Sequence, residues 1–191
     1  MSKGRMEAFS DGVLAIVITI MVLELAAPHE PELAALLPLA PVFLSYVLSF
    51  VYLGIYWNNH HHLFQVVQSI DGRVLWANLH LLFWLSLVPF ATAWVGESHF
   101  AAWPVALYGV VLLLAAIAYY ILTRALLTLH LPESALARAL GSDFKGRISL
   151  VIYLIAILLV FVNSWLAFAV YAGVAVIWVA PDRRIEKTLV R

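Results

Sequence analysis

Long apolar runs separated by short polar interruptions give the chain its periodicity. The first run opens at Val13 and ends at Ala27, after a polar entry containing Arg5, Glu7, Ser10 and Asp11. As a helix the apolar part is only about 22 Å long, short of the roughly 30 Å hydrocarbon layer of a bilayer. A crossing here must therefore carry Asp11 into depth where ionisable groups face protein or water rather than lipid. Further apolar runs cover 38–56, 74–95 and 101–122, with Pro28 to Pro38, Gln65 to Arg73 and Gly96 to His99 between them as links. The second run continues into the polar string Trp57-Asn58-Asn59-His60-His61-His62. The last run, 148–180, holds 33 nearly unbroken apolar residues, too many for one span and just enough for two short helices hinged at Asn163-Ser164. The segment before it, broken by Pro132 and Gly141, leaves room for a surface helical turn over Ser134–Leu140.

Composition turns these runs into membrane spans. The chain has 191 residues, 64% hydrophobic and 12% charged, with a mean hydropathy of +0.97. A water-soluble domain of this length has about twice that share of charge. The reading is one integral membrane domain over 1–191, all-α. Charge then chooses between five and six crossings. With six crossings and the N-terminus in the cytoplasm, all eleven Lys and Arg fall on one side, and Glu30, Glu32 and Glu97 on the other. Five crossings would strand the basic residues of the tail outside. The positive-inside bias therefore predicts six helices, both termini cytoplasmic and a final short hairpin. Glu7 and Asp11 contradict a signal-peptide n-region, so no cleavage of the first helix is expected. The net charge is zero and no nucleic-acid partner is expected; the absence of cysteine rules out disulfides and thiolate metal sites.

Candidate chemistry concentrates on the first helix. Ile16, Ile20 and Leu23 lie at i, i+4 and i+7, with Phe9, Gly12 and Val13 extending the stripe and Thr19 beside it. Such a stripe packs a core, or, in several copies around an axis, forms the hydrophobic constriction of a water-filled path. Spacing alone does not choose. Arg5 shares a face with Phe9 but stands about 120° from Asp11, so the two charges reach different neighbours. They either set topology or tie the helix to its partners. The consecutive His60, His61 and His62 diverge by about 100° each and cannot converge on one metal ion, which helices bind at i, i+4. They are better donors to Ser10, Asp11 or a carbonyl, as is Asn78 on the third helix. Trp57, Trp94, Trp103 and Trp178 lie near predicted ends, where interfacial tryptophans collect. No nucleotide, hydrolase or zincin motif is present, nor the TVGYG filter loop of potassium channels.

The string Arg5-x-x-x-Phe9-Ser10-Asp11, followed by Gly12, Ala15-Ile16, Thr19 and Leu23-Glu24-Leu25, resembles a known family. These are the prokaryotic single-repeat relatives of the endosomal/lysosomal potassium channel transmembrane protein 175. Trp57-x-x-His60-His61-x-Leu63-Phe64, Asp71, Trp76-x-Asn78 and Leu85-Ser86-Leu87-x-Pro89-Phe90-x-Thr92 extend the resemblance to about residue 95. It implies a homotetrameric, potassium-permeable channel without a carbonyl filter, the first helix lining the pore. By the same resemblance Ile16 matches the narrowest ring, Ile20 and Leu23 the outer rings and Thr19 a hydroxyl beside the constriction. Arg5, Phe9, Ser10 and Asp11 match a network holding helix one against helices two and three, with His60 or His61 and Asn78 as partners. The implied partners are further copies of the chain, the bilayer and monovalent cations; potassium permeates near Ile16 and Thr19, and no cofactor is implied. For a prokaryotic protein the location is the inner membrane.

Two other readings compete. A coupled secondary transporter would use Asp11 and the histidines as an ion relay, but the chain lacks evident paired repeats. A membrane enzyme or haem protein would need the histidines as ligands. Ohmic single-channel current separates a channel from the first, and absence of a bound chromophore or metal from the second.

Overall fold

A computed structural model describes residues 2–130, 134, 136–137 and 144–179. Among the described residues the architecture is all-helical. Helix α1 spans Lys3–Leu23; a 3-10 segment, Leu33–Leu39, leads into α2, Ala40–Gln65. Then come α3 (Gly72–Ser86), α4 (Val88–Glu97), α5 (Ala102–Leu129), α6 (Phe144–Leu159) and α7 (Ser164–Val179). Four stretches are long and apolar enough to cross a bilayer: Lys3–Leu23, Leu33–Gln65, Gly72–Glu97 and Ala102–Leu129. With the two shorter helices of the α6–α7 hairpin they make six helical stretches, the number that charge predicts.

Local chemistry sets the boundaries. Asp71 opens α3, its Oδ1 accepting the Val74 amide at 2.9 Å, which satisfies one of the orphan donors of a helix start. The third apolar run is interrupted: Pro89 has no amide hydrogen and its ring crowds the carbonyl four residues back, so the chain breaks at Leu87 into α3 and α4. The tight connection after Gly96 bends through left-handed backbone at His99 and Phe100 (φ 53° and 62°). Phe100 anchors that strained turn by burying its ring against Trp165 and Phe168, with centroids 4.1 and 4.6 Å away. The predicted hinge is present. Asn163 Oδ1 caps α7 by accepting the Leu166 amide at 3.0 Å. Of the anticipated surface turn, Ser134 lies in a bend, its Oγ accepting the Ala137 amide at 3.2 Å, and Leu136 and Ala137 are helical; residues 135 and 138–140, like the basic tail residues Arg183, Arg184, Lys187 and Arg191, lie outside the described residues.

Helix α5 is the hub, packing on α3, α4, α6 and α7, while α2 packs on α4 and α7. The α2–α4 approach is close: a side chain on Gly96 would bring its Cβ within 2.6 Å of the Val42 Cα. Tyrosine and serine hydroxyls knit the interior. Ser49 meets Thr92 at 2.6 Å and Tyr108 at 3.0 Å, and Tyr52 donates to the Tyr171 carbonyl at 2.7 Å. Because these side chains are buried, each such pair removes a desolvation cost. Helix α1 stands at the side of this bundle, its main contacts being with α2, α3 and α4.

Candidate functional site

The residues that dock α1 follow a 4-4-3-4 rhythm: Met6, Ser10, Leu14, Val17 and Met21 are buried. Ser10 is the polar member, and a directed chain of hydrogen bonds fixes it. Its hydroxyl donates to the Met6 carbonyl at 2.9 Å and accepts from Asn78 Nδ2 of α3 at 2.9 Å. Asn78 Oδ1 in turn meets His60 Nε2 of α2 at 2.9 Å. A carboxamide oxygen only accepts, so His60 donates from Nε2. All three side chains are buried, and the chain joins the three helices at one level.

A second, exposed cluster surrounds Asp11. Its Oδ1 accepts from Trp57 Nε1 at 3.1 Å; the Trp57 ring stacks on His61 at 6.0 Å, and Gln65 Nε2 donates to His61 Nε2 at 2.8 Å. The ambiguity between histidines is thereby resolved as a division of labour. His60 enters the buried chain, His61 the exposed one, and His62 neither, its Nδ1 being buried with no partner among the described residues. Trp57 corrects the sequence reading: it is not merely an interfacial ring, because it carries the only hydrogen bond described for Asp11. Arg5 and Phe9 depart from the implied network as well. Both are exposed, and the Arg5 side chain makes no hydrogen bond or ion pair to α2 or α3 among the described residues. Among the described residues only Ser10 and Asp11 of the signature hydrogen-bond to those helices.

One tether escaped the sequence reading. Lys3 Nζ donates to the carbonyls of Phe64 at 2.6 Å and Val67 at 3.0 Å, capping the C-terminal end of α2. A cation is favoured there, where the helix dipole is negative and carbonyls lack partners. A lone lysine two residues before the signature gives no sequence signal beyond its charge.

On the opposite side α1 is uncovered. Ile16 is 59% exposed, Ile20 41% and Leu23 79%. Arg5, Asp11, Thr19 and Glu24 share the exposed part of the helix and its end with them. Thr19 Oγ1 donates to the Ile16 carbonyl at 2.9 Å, which leaves its lone pairs free to accept. A groove of about 500 Å³ runs beside this face, between Ile16, Ile20 and Glu24 on one wall and Ser86, Pro89 and Phe90 on the other. The Leu87 break creates the second wall, since it ends α3 at Ser86 and restarts the helix at Val88, with Pro89 in the first turn. Among the described residues no three His, Asp or Glu side chains converge as a metal site would require.

Residues 5–89 match the family described as endosomal/lysosomal potassium channel TMEM175. A potassium channel of Chryseobacterium sp. (strain P1-3) is 56% identical over 99% of this chain and 98% of its own length. The mouse endosomal/lysosomal proton channel TMEM175 is 35% identical over 48% of this chain, corresponding to 21% of the mouse protein. The crystal structure of a lysosomal potassium-selective channel TMEM175 homolog from Chamaesiphon minutus superposes with a TM-score of 0.79 at 31% identity. That match covers 93% of this chain and 96% of the other.

Proposed function

Because the chain belongs to the TMEM175 family of channels, we propose that it conducts potassium through a pore lined by α1 at the axis of a homotetramer. It is an integral membrane cation channel rather than an enzyme. The finer assignment rests on one observation: the uncovered part of α1 mixes Arg5, Asp11, Thr19 and Glu24 with Ile16, Ile20 and Leu23. An uncovered helix of that composition is costly against acyl chains and suits a narrow aqueous path with hydrophobic constrictions. A single short helix cannot enclose a path, whereas a closed ring of copies can. Both termini are assigned to the cytoplasm, on the side that collects the basic residues.

In this reading Ile16 forms the narrowest ring, Ile20 and Leu23 the rings toward the outer mouth, and Thr19 offers a hydroxyl oxygen next to the constriction. An aliphatic ring replaces none of the water that an ion sheds, so the ion that holds its hydration less tightly passes more readily. Potassium is that ion, and the expected preference over sodium is modest. The buried Ser10–Asn78–His60 chain anchors α1. Its donors and acceptors are already engaged with one another, which favours an anchor over the ion relay of a coupled transporter. Purified protein in a planar bilayer under a potassium gradient should give ohmic current reversing near the potassium equilibrium potential. Saturable flux requiring a counter-substrate would contradict the channel reading.

A further inference from the structure

Tyr56 and Asn59 alternate with Trp57 and His60 along one turn of α2, and they line a different space. There α2, α5, α6 and α7 surround a second cavity of about 50 Å³. No α1 residue and no charged side chain lines it; Ala116, Tyr120, Tyr153 and Trp178 supply much of an apolar, aromatic wall. Some of its polar groups are already engaged. Tyr153 donates to the Tyr52 hydroxyl at 3.2 Å, and Trp178 Nε1 to Ser149 Oγ at 2.9 Å. The hydroxyls of Tyr56 and Tyr120 and the carboxamide of Asn59 have no hydrogen-bond partner among the described residues.

An unpaired hydroxyl or amide in so apolar a cavity carries a desolvation cost that an occupant with an oxygen would remove. The volume suits about three or four water molecules, or the end of one slim chain. The uncharged lining gives an ion no counter-charge, and the predominance of aromatic and aliphatic surface favours a carbon stem behind the oxygen. We propose that this cavity binds the hydroxyl end of a neutral aliphatic alcohol, the oxygen meeting Tyr56, Tyr120 and Asn59 and the stem packing on Ala116 and Trp178.

Trp178 lets the proposal be read directly by titrating the full chain in nanodiscs with 4-bromo-1-butanol, whose bromine quenches indole fluorescence on contact. The quenching attributable to Trp178, obtained by difference from Trp178→Phe, should saturate and should be reversed by 1-hexanol. Ala116→Phe, which fills the space, should abolish the saturable part. Tyr56→Phe should raise the half-saturating concentration about fivefold, the effect of one hydrogen bond near 1 kcal/mol. Tyr56→Phe keeps the test available where Ala116→Phe does not fold. Quenching that rises linearly, ignores 1-hexanol and is unchanged by either substitution would overturn the proposal and leave the cavity to water. The readout involves no ion conduction, so its outcome is independent of the pore assignment.

Discussion

Helix α1 and the α6–α7 hairpin are both apolar, both short and both half uncovered, yet their uncovered faces differ in kind. Beyond its first turn, α6 exposes Ile148, Val151, Leu154, Ile155 and Leu158; α7 exposes Trp165, Leu166, Val176, Ile177 and Val179. Nothing ionisable interrupts these faces, and they suit contact with lipid. On α1 the exposed apolar residues are interleaved with Arg5, Asp11, Thr19 and Glu24. The docked faces are alike: each is mainly apolar with a polar tie, the hairpin through Tyr153 and the Tyr171 carbonyl to Tyr52, α1 through Ser10 among Met6, Leu14, Val17 and Met21. Exposure alone therefore says little about an apolar helix in a membrane protein; the company the exposed residues keep decides what they face.

The largest effect should come from breaking the polar dock. Asn78→Leu keeps the volume but leaves the His60 Nε2–H buried without an acceptor, at about 2 kcal/mol. Hydrogen exchange should accelerate in α1 while α6 and α7 stay protected; equal acceleration in the hairpin would show that the dock is not local. Next, Ile16→Asn should change the potassium-to-sodium permeability ratio several-fold in bi-ionic reversal potentials, whereas Leu154→Asn on α6 should leave the ratio alone. Equal ratios in wild type and Ile16→Asn would remove Ile16 from the filter. Lys3→Met deletes the cap on α2 and should cost about 1 kcal/mol in thermal unfolding, mostly restored by Lys3→Arg. Thr19→Val should have the smallest effect, lowering single-channel conductance by about twofold or less with no loss of stability, because Thr19 bonds only within its own turn.

The number of passes was legible because charge is a global constraint: the basic residues share one side only with six crossings. The hinge at Asn163-Ser164 was legible because a 33-residue apolar run cannot be one span. The Leu87 break was not, since a single proline inside an apolar run is compatible with a kink as well as an interruption. At the site, the residue types were legible and the pairings were not. Three adjacent histidines point in three directions, and only the tertiary arrangement, with α1 packed on both α2 and α3, brings His60 rather than His61 to Asn78. Trp57 was passed over because a tryptophan near a helix end usually marks the interface; its bond to Asp11 depends on the crossing of α1 and α2. The tyrosine-lined cavity draws on four helices separated in sequence, so no local pattern announces it.

The chain contains no cysteine, which makes the contrast between the two faces directly measurable. Single substitutions Ile16→Cys, Ile20→Cys and Leu23→Cys on α1, and Leu154→Cys, Leu158→Cys and Val176→Cys on the hairpin, can be exposed to a water-soluble cationic thiol reagent during bilayer recording. The account predicts that the α1 positions react and lose current while the hairpin positions neither react nor respond. Unreactive α1 positions, or hairpin positions that react and block, would contradict it.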